Sequence, residues 1–74
     1  MSKFKIGDVL TVNQKYLNDA KRLKFKNNVK DSNWSAQVLD IYDDAEHPPI
    51  YYFSKADKYG NRDGLAEWFV QLAE

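Results

Sequence analysis

The sequence predicts a single small all-β domain, a barrel of about five short strands, and three patterns favour this class. Residues 34–44, WSAQVLDIYDD, carry apolar side chains in both parities, which is typical of a central strand in a small barrel. Residues 50–54, IYYFS, form a second β-rich run at hairpin distance. Clusters of Gly, Asn, Asp and Pro separate these runs and predict the turns between them.

The first strand is predicted within residues 4–12, FKIGDVLTV, where a Gly-Asp turn signal precedes alternating apolar residues. Residues 13–33 are predicted as an inserted basic loop or edge strand. Tyr16, Ala20 and Leu23 fit one short helical stripe, whereas Leu23 and Phe25 alternate with basic residues as in a strand. A loop or helical turn followed by a short edge strand is preferred, because exposed lysines protect sheet edges.

The C-terminal segment LAEWFVQLAE has two interpretations. Leu65, Trp68, Phe69 and Leu72 follow the i, i+3, i+4, i+7 spacing of an amphipathic helix. The competing interpretation is a strand from Leu65 to Val70 that ends in one helical turn. The helix would give the alternative fold class, an α+β domain with an antiparallel sheet and a C-terminal helix.

Length and composition limit what the chain can do. Seventy-four residues without cysteine predict one domain, residues 1–74, stabilised by packing alone, without a deep enzyme cleft. The 15% of aromatic residues provides large buried surfaces for that core. No segment resembles a signal peptide or a membrane span, so an intracellular, soluble protein is expected, with no membrane partner.

No catalytic, metal-binding or cofactor-binding constellation is recognisable, so we expect no enzyme and no cofactor. The single histidine, His47, lies beside two prolines and has no nucleophile or second histidine at a suitable spacing. The acidic residues that follow the long strand lack the pattern of a calcium loop and are read as a solvated turn. These residues are Asp40, Asp43, Asp44 and Glu46.

Charge is distributed unevenly along a chain whose net charge is zero. Residues 1–30 carry eight Lys or Arg against two Asp, and residues 31–74 carry three against nine acidic residues. Mutual neutralisation in the fold and a basic strip for an anionic partner are both compatible with this division. Nucleic-acid binding is therefore the alternative function, carried by a strip that could follow phosphates. Its members are Lys21, Arg22, Lys24, Lys26 and Lys30.

The leading functional hypothesis is a non-catalytic binding module, adaptor or inhibitor that recognises a protein or peptide. Aromatic side chains at converging strand ends can enclose a cation or an apolar group. Trp34, Phe53 and Tyr59 are the candidate rim aromatics, and Asp57 and Asp63 are the flanking acids.

The order of several short motifs supports this hypothesis. The motifs are FKIGDVLTV, Trp34 two residues before Ala36, PIYYFS, KYGNR and the pair Glu67-Trp68. Their order resembles the chromo-barrel and Tudor-like group of SH3-like barrels, with residues 13–33 as an insertion. The resemblance implies an SH3-like barrel and a strand, in place of a helix, from Leu65 to Val70.

In that group, rim aromatics can form a cage for methylated lysine, and some members bind RNA instead. The resemblance implies that Trp34, Phe53 and Tyr59 occupy cage positions and that Trp68 is a structural core residue. Leu65 stands where cage-forming members often carry a further aromatic residue. The implied cage is therefore incomplete.

Overall fold

Alternating apolar residues and well-placed turns give this chain two small antiparallel sheets and one helix. The computed structural model describes residues 2–26 and 29–73, and the elements below refer to these residues. They are β1 (Val9–Val12), α1 (Gln14–Leu23), β2 (Ser35–Gln37), β3 (Asp40–Asp44), β4 (His47–Tyr52), β5 (Gly64–Ala66), a 3-10 helix (Glu67–Phe69) and β6 (Val70–Leu72).

The first sheet has the strand order β2-β1-β6, with β1 in the centre. Leu10 of β1 is fully buried and lies opposite Ala36 on one side and Leu72 on the other. Thr11, the next residue, lies opposite Ser35 and Gln71, so three polar side chains share the outer face. The period of two therefore places Leu10 in the core and Thr11 on the surface, although Leu72 at the edge of the sheet is 55% exposed.

The second sheet has the order β3-β4-β5. Tyr51 at its centre is fully buried, and its neighbours across the sheet are Ile41 and Leu65, which both pack on the core. The register of β3 with β4 shifts between Tyr42 and Asp44, as in a β-bulge. The hairpin predicted from residues 34–44 and 50–54 is confirmed in part, since β4 begins earlier, at His47, and includes both prolines.

The long strand predicted at residues 34–44 is divided at Val38 and Leu39. The Val38 N–H donates to the Asp8 carbonyl beside the first sheet, whereas the Leu39 N–H donates to Tyr52 in the second. Two consecutive amides thus bond to different sheets, and the chain turns a corner between them. The core lies between the sheets and contains Phe4, Leu10, Val38, Tyr51 and Val70.

The helix α1 corrects the interpretation of residues 13–33. Asn13 caps it by accepting a hydrogen bond from the Tyr16 N–H (3.0 Å), and Lys24 ends it in the left-handed conformation, with φ of 53°. The predicted edge strand is wrong, since no strand lies between Leu23 and Ser35 in the described residues. Leu23, the last residue of the helix, is exposed, while Phe25, just after Lys24, packs on Tyr16 at 5.7 Å between ring centroids.

The C-terminal segment is neither the predicted continuous strand nor the alternative helix. After β5, the 3-10 helix places three successive side chains in three directions. Glu67 reaches the Tyr51 hydroxyl, Phe69 packs on Tyr16 at 5.4 Å, and Trp68 is 50% exposed. The core position expected for Trp68 is therefore wrong, and Phe69 is the aromatic residue that packs inward.

The observed fold is mostly β-structure with one short helix, which fits the α+β alternative. It differs from the predicted closed all-β barrel, because the strands pair into two separate sheets. The helix also lies at residues 14–23, far along the chain from the C-terminal position that the alternative assumed. None of the helices in the described part of the chain is long and apolar enough to cross a membrane.

Candidate functional site: the Trp34 rim

Trp34 and Phe53, two of the predicted rim aromatics, are in contact. Trp34 lies just before β2 and Phe53 just after β4, so their packing joins one end of each sheet. Their ring centroids are 5.0 Å apart and their planes are nearly perpendicular, at 88°. The Trp34 carbonyl accepts a hydrogen bond from the Thr11 hydroxyl, which fixes the Trp34 backbone against the first sheet. The structure thus brings together residues that are 19 positions apart in the sequence.

A lysine of the same chain occupies the position beside this aromatic pair. The Lys30 ammonium lies 5.4 Å from the centroid of the Trp34 ring and 2.8 Å from an Asp63 carboxylate oxygen. The Lys30 side chain is only 6% exposed, against 29% for that of Asp63. An aromatic face and a carboxylate are the groups that stabilise a buried ammonium. The rim therefore has the chemistry of a cation site, and its occupant is internal.

The other two predicted rim residues lie apart from this pair. The Asp57 carboxylate accepts hydrogen bonds from the backbone N–H groups of Tyr59 and Asn61, which builds the turn after β4. Tyr59 is 74% exposed, and its ring contacts the Lys58 ammonium at 5.0 Å. No ring contact links Tyr59 to Trp34 or Phe53 within the described ranges. The expected three-ring cage is reduced to two rings and Asp63.

Trp34 also forms one wall of an open groove of about 460 Å³ beside the first sheet. Thr11, Ser35 and Gln71 are aligned by the strand register, and Leu72 at the groove is 55% exposed. Hydroxyl and amide groups are therefore combined with two apolar side chains in one concave surface. The complete lining is Thr11, Ser32, Asn33, Trp34, Ser35, Gln71, Leu72 and Ala73.

The predicted basic strip is only partly available to a ligand. Lys30 is buried and so does not belong to the exposed strip. Arg22 pairs with Asp19 at 3.3 Å, and the hydrogen bond from Arg22 is the main reason that the pKa of Asp19 lies below its usual value. Lys21, Lys24 and Lys26 are exposed, and none of them forms an ion pair within residues 2–26 and 29–73. The exposed strip therefore lies at the end of α1 and just beyond it.

Sequence reasoning missed a buried hydrogen-bond centre at Tyr51. Its hydroxyl donates to Glu67 and accepts from the backbone N–H groups of Lys3 (3.0 Å) and Phe4 (3.2 Å). Burial, followed by the Glu67 hydrogen bond, raises the pKa of Tyr51 to about 12. Burial alone would raise the pKa of Glu67, but the hydrogen bonds from Tyr51 and Lys3 hold it below its usual value. These groups satisfy one another's hydrogen-bonding capacity and attach the N-terminal segment to the core.

The described residues contain no group of three or more His, Asp or Glu side chains that could hold a metal ion. No family model, curated protein or solved structure matches this chain.

Proposed function

We propose that this chain is a non-catalytic binding module that recognises a segment of another protein through the Trp34 rim. The observation that carries the proposal is that Trp34 takes part both in an internal cation site and in the lining of an open groove. Its indole holds the Lys30 ammonium and at the same time lines the groove of about 460 Å³. Concave surfaces with a few apolar anchors and convergent polar groups are the usual form of binding sites.

The lining of the groove indicates a peptide backbone as its ligand. Hydroxyl and amide side chains, as at Ser35 and Gln71, can pair with peptide N–H and carbonyl groups. Leu72 and Trp34 provide apolar contact for a side chain of the partner. The cation site is already filled by Lys30, so the partner is expected to approach from the groove side of the indole.

We also propose that the chain is a divergent relative of the SH3-like group, with its barrel opened into two sheets. Two observations support this relationship. The last strand returns to pair with the first, and the chain passes from one sheet to the other at Val38 and Leu39. Of the motif residues, Trp34 lies just before β2, Ala36 lies in the middle of β2, and Phe53 lies just after β4.

Comparative affinity capture tests the groove. The full chain would be immobilised as wild type, as Ser35→Arg, which fills the groove, and as Asn61→Arg, which adds the same charge in the distant turn. Lysate of the native cells would be treated with nuclease, and retained proteins would be quantified by mass spectrometry. We expect a protein retained by wild type and Asn61→Arg to fall at least tenfold with Ser35→Arg. Equal retention by all three chains would refute the groove proposal.

Nucleic-acid binding is the second candidate, favoured by the exposure of Lys21, Lys24 and Lys26. Replacing Lys24 and Lys26 by Glu should weaken retention of a fluorescent 20-nucleotide single strand about tenfold at low salt. The matched control replaces Lys55 and Lys58 by Glu, which changes the net charge equally outside the strip. Fluorescence anisotropy across a salt series gives the number of phosphates neutralised. Identical affinities for the two double variants would remove this candidate.

A further inference from the structure

The outer face of the second sheet is a second aromatic surface, separate from the Trp34 rim. Tyr51 and its paired neighbours point into the core, so the residues of opposite parity point outward. On β3 and β4 these residues include Tyr42, Ile50 and Tyr52, with Ala66 opposite Ile50 on β5. Tyr42 is 49% exposed. Two tyrosines and an isoleucine thus lie side by side on one sheet face, and an apolar surface of this kind can serve as a contact area.

One half of this face already holds a guanidinium. The Arg62 guanidinium carbon lies 4.2 Å from the centroid of the Tyr52 ring, and its Nη1 atom lies 2.8 Å from an Asp40 carboxylate oxygen. Gly64 makes room for the tyrosine, because a Cβ atom there would approach the Tyr52 ring to 2.7 Å. The face thus contains a built arginine position, formed by a tyrosine ring, a carboxylate and a glycine.

The other half of this face also combines a tyrosine with a carboxylate, Tyr42 with Asp44, but no arginine contacts that tyrosine ring among the described residues. The Tyr42 hydroxyl donates to an Asp44 carboxylate oxygen at 3.1 Å. The Tyr42 ring stacks on the exposed imidazole of His47, with 5.2 Å between centroids and 14° between planes. Tyr42 and Tyr52 are diagonal neighbours, since Tyr42 lies opposite Ile50 and Asp40 lies opposite Tyr52.

The charge around this second half selects the ligand. Residues 43–47 carry three carboxylates and one histidine, with no lysine or arginine. A cationic partner is therefore favoured electrostatically, and an acidic one is disfavoured. Arginine fits better than lysine, because its planar guanidinium can stack on a tyrosine ring and bind a carboxylate through two N–H groups at once.

We propose that the outer face of the second sheet binds a segment of another protein in which an arginine adjoins an apolar side chain. The arginine lies against Tyr42 and pairs with Asp44, and the apolar side chain packs on Ile50 and Ala66. The Arg62 site shows a related arrangement within the chain, with the guanidinium on a tyrosine ring and one N–H group on the Asp40 carboxylate. This surface goes beyond the Trp34 rim and does not depend on it.

Titration of the full-length, isotope-labelled protein with three synthetic nine-residue peptides tests the proposal. The peptides contain two Arg-Leu, two Lys-Leu or two Arg-Ser pairs in an otherwise Gly/Ser sequence, with blocked termini. We expect the Arg-Leu peptide to bind at least threefold more tightly than the other two. The backbone amide signals that shift should belong to residues 40–52 and 64–66.

Tyr42→Ala should weaken binding of the Arg-Leu peptide at least fivefold, whereas Tyr42→Phe, which keeps the ring, should retain most of it. Tyr59→Ala removes another exposed tyrosine and should have no effect. Equal binding of all three peptides, shifts confined to the Trp34 groove, or full binding by Tyr42→Ala would each overturn the proposal. So would sedimentation showing a wild-type dimer that Tyr42→Ala converts to monomers, because a second copy would then be the occupant.

Discussion

Individual side chains in this protein have roles that differ from those their residue types first indicate. Lys30 is part of a basic run in the sequence, yet its ammonium is buried against Trp34 and Asp63. Trp68 is of a residue type expected in the core, yet it is half exposed, and Phe69 takes the inward position. At Trp68 the backbone of the 3-10 helix decides which ring is buried, whereas Lys30 is buried with Asp63, a residue distant in the sequence.

The Lys30–Asp63 pair gives a prediction about stability. Asp63→Asn should lower the free energy of unfolding by about 3 kcal/mol, since it leaves a buried ammonium without its carboxylate. Lys30→Met should cost less, about 1–2 kcal/mol, because the remaining carboxylate is partly open to water and can be solvated. Urea denaturation measures both. Lys58→Met, whose ammonium only covers an exposed tyrosine, is the neutral control.

The opposite order of the two losses would contradict the assignment of Lys30 as the more deeply buried partner. Equal small losses would show that the pair is open to solvent.

At the scale of elements, the segment at residues 13–33 shows how turn chemistry overrides alternation. The pattern around Leu23 and Phe25 predicts a strand, but Asn13 caps a helix that uses a different set of residues. Tyr16, Phe25 and Phe69 then form a small aromatic cluster between α1 and the 3-10 helix. The Asn13 side-chain amide also donates to the Trp68 carbonyl at 2.7 Å, which joins the same two elements.

Two alanine substitutions distinguish the observed helix from the predicted edge strand. In a strand, Leu23 and Phe25 would share one buried face and both would matter. In the observed structure Leu23 is 55% exposed, so Leu23→Ala should change stability by less than about 0.5 kcal/mol. Phe25→Ala should cost about 2 kcal/mol, because it removes contacts with Tyr16 and Phe69. Thermal and urea unfolding of both variants supply the measurement, and equal losses would favour the strand.

At the scale of the whole molecule, the two sheets are held together by contacts between residues distant in sequence. The Tyr51 hydroxyl is one such point, since it joins the second sheet to Lys3, Phe4 and Glu67. The divided charge of the sequence is only partly neutralised across the fold. Lys30 pairs with Asp63 of the acidic half, whereas Arg62 pairs with Asp40 inside that half and Lys15 and Arg22 pair within α1.

The pKa of Tyr51 predicts an alkaline limit to stability. Its folded value of about 12 lies above the ordinary value of 10.0, so folding favours the protonated phenol. The corresponding stability is fully present below pH 10 and is lost as the pH rises from 10 toward 12. Urea denaturation from pH 8 to 12 should show this decline in wild type. Tyr51→Phe should be less stable at pH 8 but should show a shallower alkaline decline, and parallel curves would refute the prediction.

The sequence by itself determined the β-rich character of the chain, part of the hairpin of β3 and β4, and the presence of a turn within residues 55–64. These features depend on local alternation and on turn residues, which act within a few positions. It also placed Trp34 and Phe53 at strand ends, but it did not assign Lys30 to them.

Only the tertiary structure decided that residues 34–44 turn between two sheets, that the helix follows β1, and that Lys30 fills the space beside Trp34. Each of these outcomes depends on hydrogen bonds or packing between residues far apart in the sequence. Val38 bonds to Asp8, Phe69 packs on Tyr16, and Lys30 pairs with Asp63. The alternation of apolar and polar residues along a strand does not depend on which other strand pairs with it. The pairing is therefore determined by the fold as a whole.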